Sequence, residues 1–93
     1  MKRKLDLRQS AVALEYDGRS APRVTAKGRG LVAEEILRLA REHEVPIKEE
    51  PELTQLLAQV ELGDEVPREL YLAVAQVIAF AYQVSGREPP LPP

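Results

Sequence analysis

The chain contains no cysteine, no tryptophan and no asparagine, and it has a single histidine, His43, among 93 residues. The absence of cysteine excludes a disulfide scaffold, a thiol nucleophile and a zinc site made of thiolates. A single histidine excludes a metal site built from several imidazoles. Because three tyrosines and one phenylalanine are the only aromatic residues, the core must consist of aliphatic side chains.

Long apolar runs and a strong net charge are also missing. No run reaches the roughly 20 apolar residues that cross a bilayer, and no signal-peptide core follows the basic start. The net charge of −2 gives no electrostatic footprint for nucleic acid. We therefore expect a soluble, cytoplasmic domain with no nucleic-acid partner, no membrane insertion and no metal or other cofactor.

Composition along the chain divides it into three parts. Residues 1–9 form a mixed N-terminal segment that permits a short edge strand. Residues 10–84 have the apolar patterning of a single α/β domain. Residues 85–93 form a proline-rich tail, which is either a ligand for an aromatic-lined groove or a frayed end.

Hydrophobic period and turn residues predict the elements of the domain. Strands are predicted at residues 10–16 and 23–26, joined as an antiparallel hairpin by the Asp17-Gly18 turn. Helices are predicted at residues 31–44, from Pro51 onward, and at 67–84. Val45-Pro46-Ile47 is predicted to be a third strand that completes a βαβ unit, and Val60 and Leu62 add a very short one. The expected fold is α/β, a small mixed sheet of about four short strands flanked by three helices.

The last predicted helix is apolar around most of its circumference. A helix of this kind is normally buried on more than one side. In a domain this small, the pattern predicts either a central position for the helix or a surface that a partner covers.

The segment Lys27-Gly28-Arg29-Gly30 precedes the first predicted helix and allows two interpretations. A helix N-terminus offers free N–H groups to anions, and with His43 as a base it would suit a small phosphate-binding or hydrolytic enzyme. The segment lacks, however, the third glycine of a dinucleotide fingerprint and the Gly-Lys-Ser/Thr end of a P-loop. A sharp strand-to-helix turn is the favoured interpretation, and the enzyme is kept as the alternative.

Five segments in succession resemble the cytoplasmic domain of the FlhB/YscU/SpaS proteins, the export-apparatus switch proteins of type III secretion. They are residues 11–17, 21–28, 36–47, 50–57 and 63–75. The third of them ends in a His-x-Val-Pro-Ile sequence that begins at His43. The resemblance implies that family's fold, a place at the cytoplasmic face of the inner-membrane export gate, and a part in choosing export substrates.

The self-cleavage motif of that family is missing. Its members cut themselves between Asn and Pro of an Asn-Pro-Thr-His sequence, where the Asn amide nitrogen attacks its own main-chain carbonyl. This chain has Asp6-Leu7-Arg8-Gln9 at the corresponding positions. A carboxylate is a poor nucleophile toward an amide carbonyl, so we expect no autocleavage.

Because the chain resembles the family but lacks its self-cleavage motif, we expect a non-enzymatic protein-interaction module. It would be a stand-alone paralogue that mimics the cleaved cytoplasmic domain. The expected partners are components of the export apparatus, export substrates or their chaperones. The identity of the partner and the oligomeric state stay open. Candidate contact positions, beside the hairpin and on the last helix, are Lys27, Arg29, Tyr71 and Tyr82.

Prolonged incubation of the purified chain should leave it intact, because Asp6 cannot attack as an asparagine amide does and no proline follows it. Mass spectrometry of the incubated protein should find the full-length mass alone. A fragment that begins at Leu7 would contradict the prediction.

Overall fold

The computed structural model describes residues 9–86, which contain two strands and three α-helices. In chain order they are β1 (Ser10–Glu15), β2 (Arg23–Arg29), α1 (Leu31–Glu42), α2 (Pro51–Leu57) and α3 (Tyr71–Ser85). A single 3-10 turn, Arg68–Leu70, leads directly into α3. The described chain is thus a small α/β unit, as the sequence predicts, although its sheet is narrower than expected.

The hairpin is antiparallel and carries one bulge. Its register runs from Ser10 opposite Arg29 to Glu15 opposite Arg23, with an irregularity after Ala13. Strand β2 continues three residues beyond the predicted end, because Lys27 and Gly28 pair with β1. Gly30 alone makes the turn into α1, with a φ of 59° that favours glycine.

The predicted sheet of four strands is wrong for the described residues, which form a sheet of two. Val45-Pro46-Ile47 is not a strand but part of an irregular connection between α1 and α2. Pro46 has no N–H to give to a sheet, and the chain leaves α1 through Glu44, whose φ is 57°. No parallel βαβ unit therefore forms among residues 9–86. The edge strand expected near Leu5 and Leu7 lies outside the described residues.

The other edge of β2 is bonded to residues 63–66, which form an irregular connector. The short strand predicted at Val60 and Leu62 does not form. Gly63 donates its N–H to the carbonyl of Val24 at 2.8 Å, and Val24 donates to the carbonyl of Asp64 at 3.1 Å. An isolated bridge joins Arg23 to Glu65. These bonds hold residues 63–66 against the hairpin and place Val66 in the core.

The core cluster lies where α2, the connector and α3 meet the hairpin. Its buried members are Leu57, Val66 and Val74. Half-buried side chains from β1, α2, the 3-10 turn and α3 surround it: Val12, Leu14, Leu53, Leu70 and Ile78. Each fully buried aliphatic side chain contributes about 1.5–3 kcal/mol, so this cluster holds α3 to the remaining elements.

Helix α1 covers the other part of the hairpin through Ala33, which is fully buried. Of the predicted apolar stripe, Ile36 and Ala40 are half-buried, whereas Val32, Leu39 and His43 are exposed. The contact face is rotated because α1 approaches β2 closely at Gly28. A Cβ atom built on Gly28 would lie 2.1 Å from a methyl group of Val32.

The sequence pattern predicts either a central position for the last helix or a surface that a partner covers. The central position is wrong, because α3 lies at the surface of the described chain. Val74 is its one buried residue, whereas the side chain of Leu72 is 76% exposed. Gly86 ends the helix in the left-handed conformation, as the sequence predicts. A helix that is apolar nearly all round is therefore covered on one side among the described elements.

Replacing Gly28 with alanine should lower the free energy of unfolding by about 1–3 kcal/mol, because the new methyl group overlaps Val32. Urea unfolding followed by circular dichroism would measure the loss. Since Val32 is more than half exposed, Val32→Ala alone should cost little, and combined with Gly28→Ala it should recover part of the stability. An unchanged unfolding midpoint for Gly28→Ala would contradict this account of the helix contact.

Candidate functional site

An open groove lies between α3 and the β1–β2 turn. Its volume is about 430 Å³. One wall is a single face of α3 and the other is the end of the hairpin with its turn. We call it the tyrosine groove, lined by Tyr16, Arg19, Ser20, Ala21, Pro22, Tyr71, Val74, Ala75, Ile78, Ala79 and Tyr82.

The wall on α3 follows from helical spacing. Positions 71, 74, 75, 78, 79 and 82 recur at three and four residues and share one face of the helix. Val74 at the base of this face is buried in the core cluster, and Ile78 packs against that cluster. The ring of Tyr71 and the methyl groups of Ala75 and Ala79 remain exposed. The face is therefore anchored at its base and open along its length.

The wall on the hairpin is held by backbone hydrogen bonds. The Asp17 carboxylate accepts bonds from the amide N–H groups of Arg19 at 2.8 Å and Ser20 at 2.9 Å. Both N–H groups lower the pKa of the Asp17 carboxyl, and the bond from Ser20 has the larger effect. Pro22 is buried, and its carbonyl accepts a 2.7 Å bond from the N–H of Val66. The turn is thereby tied to the same connector that supports α3.

All three tyrosines of the chain line this groove. Tyr71 and Tyr82 are among the contact positions that the sequence predicts, and the structure brings them together on one helix face. Tyr16 is not among the predicted positions, because it lies 55 residues before Tyr71 in the sequence and only the tertiary structure places it in the same groove. The Asp17-Gly18 turn directly after Tyr16 could have indicated from the sequence that Tyr16 lies at the tip of the hairpin.

The two predicted basic contact positions lie elsewhere. The Lys27 ammonium group donates hydrogen bonds to the carbonyls of Ala58 at 3.0 Å and Val60 at 2.6 Å, just past the end of α2. Arg29 is exposed and borders a smaller depression beside Gln55. Lys27 thus joins β2 to the end of α2, while Arg29 presents its charge to solvent.

The structure separates the residues of the enzyme alternative. Gly28 is a strand residue and Gly30 caps the N-terminus of α1, whereas His43 is exposed at the other end of the same helix. Thirteen residues at 1.5 Å each place them roughly 20 Å apart. His43 therefore cannot act on a group held at Gly30.

Buried polar residues and metal-binding clusters are both absent from the part of the chain that the structure describes. Within residues 9–86 no polar or charged residue is buried, and no three His, Asp or Glu side chains stand close enough to hold a metal ion. No helix among these residues is long and apolar enough to cross a bilayer. What the described surface presents is an apolar groove rimmed by tyrosines.

Of the residues at the degenerate cleavage motif, Asp6, Leu7 and Arg8 lie outside the described residues. Gln9 is half-buried, and its carbonyl accepts a 2.8 Å hydrogen bond from the N–H of Gly30. The last position of the motif thus lies against the start of α1.

Comparison with known proteins gives consistent matches. The sequence model of the FlhB HrpN YscU SpaS family matches residues 8–81. The flagellar biosynthetic protein FlhB of Salmonella typhimurium is 43% identical over 91 residues, which are 88% of this chain and 24% of that protein. The protein YlqH of Bacillus subtilis is 40% identical over 86 residues, and the match covers 90% of this chain and 91% of YlqH. The chain thus spans about a quarter of the Salmonella relative and most of YlqH.

Solved structures agree with the sequence matches. The cytoplasmic domain of FlhB from Shewanella putrefaciens superposes with a TM-score of 0.76 and 38% identity, over 90% of this chain and 69% of that one. A mutated EscU/SpaS C-terminal domain gives a TM-score of 0.74 at 26% identity, over 80% of this chain and 95% of the other.

Acidification should loosen the β1–β2 turn through Asp17. Because the folded-state pKa of Asp17 is lowered, its carboxylate stabilises the fold fully above the ordinary aspartate pKa of about 3.9. This contribution is lost as the pH falls through the lowered pKa. Stability should therefore decline on acidification more steeply in the native chain than in Asp17→Asn, which keeps an acceptor oxygen but does not titrate.

Urea unfolding of both proteins between pH 5 and pH 2 measures this difference, and subtracting the two curves removes the titration of the other carboxylates. Superimposable pH profiles would show that Asp17 does not hold the turn.

Proposed function

Because this chain belongs to the FlhB HrpN YscU SpaS family, we propose that it is a non-enzymatic protein-interaction module of the flagellar or type III export apparatus. The single observation that carries the proposal is the tyrosine groove. In this proposal, export substrates, their chaperones or components of the export gate bind through that groove at the cytoplasmic face of the membrane.

The chemistry of the groove suits a peptide segment. Exposed tyrosine rings combine apolar contact area with a hydroxyl group, and such residues dominate binding energy at protein interfaces. Tyr16 and Tyr71 are each about two-fifths exposed, so the rings are available without unfolding. On α3, between Tyr71 and Tyr82, lie the small side chains of Ala75 and Ala79, which leave room for an incoming apolar side chain.

The dimensions of the groove suggest a short segment rather than a folded domain. From Tyr71 to Tyr82 the helix rises about 16 Å, the length of about five residues in an extended peptide. The volume of about 430 Å³ lies within the range of pockets that hold a defined ligand. A few apolar residues of a partner would therefore fill it.

The function we propose does not need self-cleavage. Binding in the groove uses the hairpin turn and α3, and neither contains a residue of the positions 6–9 at which the family cuts itself. The chain would thus present the docking surface of a cleaved domain permanently. Lys27 and Arg29 remain predicted contact positions, and Arg29 is the more accessible of the two.

No observation favours the phosphate-binding or hydrolytic alternative. Its two halves, the Gly30 turn and His43, stand at opposite ends of α1. We therefore retain the binding module as the one proposed function.

The chain should restore part of motility or export in cells whose authentic switch protein lacks its cytoplasmic half, if its groove is used for docking. Ala75→Glu should reduce this rescue at least tenfold, because it places a charge on the apolar floor of the groove. Gln76→Glu is the matched control, since it adds the same side chain one position further along an exposed part of α3 and outside the groove.

Both variants should unfold at the same temperature as the native chain, because positions 75 and 76 are exposed. Motility halos and secreted-protein assays measure rescue. Failure of the native chain to rescue export or to bind any export component would count against the proposed function. Equal rescue by Ala75→Glu and Gln76→Glu would show that this function does not use the groove.

A further inference from the structure

Arg19 gives the tyrosine groove its charge. Among residues 9–86 no other charged residue lines the groove, and its apolar lining comes from the aromatic rings and from proline, alanine, valine and isoleucine side chains. The two acidic residues nearest to Arg19 in the sequence, Glu15 and Asp17, are not part of the lining. A preference of the groove for one sign of ligand charge would therefore come from the Arg19 guanidinium.

This guanidinium is available to a ligand. The Arg19 side chain is exposed, and within residues 9–86 it forms no ion pair. The Asp17 carboxylate instead accepts the backbone N–H groups of Ser20 and Arg19. The Ser20 N–H lowers the pKa of Asp17 most, the Arg19 N–H comes next, and the charge of Arg19 has the smallest effect. The guanidinium is thus not held by the acidic residue beside it.

The backbone from which Arg19 projects is held in place. Gly18 is buried at a φ of 85°, which favours glycine, and the N–H of Arg19 itself binds Asp17 at 2.8 Å. At the other end of the turn, the carbonyl of Pro22 accepts the 2.7 Å bond from Val66. Because the turn is already ordered, a ligand that binds Arg19 loses less of its binding energy to ordering the backbone.

The polar side chains of the groove are all able to donate hydrogen bonds. Arg19 has five N–H groups and no acceptor, and the hydroxyl groups of Ser20 and of the three tyrosines can each donate one bond. No carboxylate lines the groove within the described residues. The charged protein group that complements such a surface is the ionised side chain of Asp or Glu, which only accepts.

We propose that the tyrosine groove prefers an extended peptide segment in which an acidic side chain lies beside apolar ones, and that Arg19 determines this preference. The inference rests on the proposed function, since it names the chemistry of the segment that the same groove binds. The apolar residues of the segment would contact the rings and the face of α3, while its carboxylate would pair with the guanidinium on the hairpin wall.

A phage-displayed library of random peptides, selected on the full chain, tests this preference. The Ala75→Glu chain first removes peptides that bind outside the groove. Asp and Glu should be enriched beside apolar residues in the selected peptides, and this enrichment should disappear on Arg19→Gln. Arg41→Gln is the matched control, because it removes the same charge from an exposed position of α1 outside the groove, and it should keep the enrichment.

Calorimetric titration of one selected peptide gives the size of the effect. Changing its acidic residue to the corresponding amide should weaken binding to the native chain about threefold to fivefold, the range expected of an exposed ion pair. The same change should have no effect on binding to Arg19→Gln, and the difference should shrink as salt is added.

Three outcomes would overturn the role of Arg19: no acidic enrichment, enrichment that persists in Arg19→Gln, or no selected peptide that depends on the groove. Apolar peptides that bind the groove without a charge preference would reject this inference alone, while the proposed function stands. An Arg19-dependent preference in a chain that does not restore export would support the inference and reject the proposed function.

Discussion

The burial of Val74 against Leu57 and Val66 is the contact on which the tyrosine groove depends. Val74 is the one buried residue of α3 within the described chain, and its two partners come from the end of α2 and from the connector. The connector in turn is bonded to β2 through Val24. A few aliphatic side chains therefore determine where a fifteen-residue helix lies, and with it one whole wall of the tyrosine groove.

The second wall depends on polar backbone contacts instead. Asp17 binds the amides of its own turn, and Pro22 binds the connector through its carbonyl. Both walls thus converge on residues 63–66, although those residues form no strand. The connector therefore supports the hairpin tip and α3 together, while Tyr16 and Tyr71 stay exposed.

Helix α3 has one buried residue, Val74, and it leaves apolar side chains such as Leu72 exposed. A stable monomer gains nothing from exposing Leu72 and the tyrosine rings, and exposed apolar patches commonly mark interaction surfaces. The family model of the FlhB HrpN YscU SpaS proteins matches residues 8–81, and within residues 9–86 no polar or charged residue is buried. The proposed binding function therefore rests on the tyrosine groove and on the family to which the chain belongs.

Local patterns in the sequence determined the hairpin, the start of α1 after Gly30, the start of α2 at Pro51 and the end of α3 at Gly86. Each depends on a turn residue or a helical period within a few positions, which is why sequence alone predicts them. The family resemblance rests on the same local segments, and the matches confirm it. The choice of Tyr71 and Tyr82 also came from the last helix alone.

Tertiary structure decided the width of the sheet, the exposure of α3 and the place of Tyr16 in the groove. The Val45-Pro46-Ile47 segment has strand-like residues, yet the edge of β2 bonds to Gly63 and Asp64, about forty positions along the chain from Val24. Which segment reaches that edge depends on the packing of Val66 and Val74, and no local period encodes it. Tyr16 lines the same groove as Tyr71 for the same reason, because long-range apolar packing, and not a sequence motif, places α3 beside the hairpin turn.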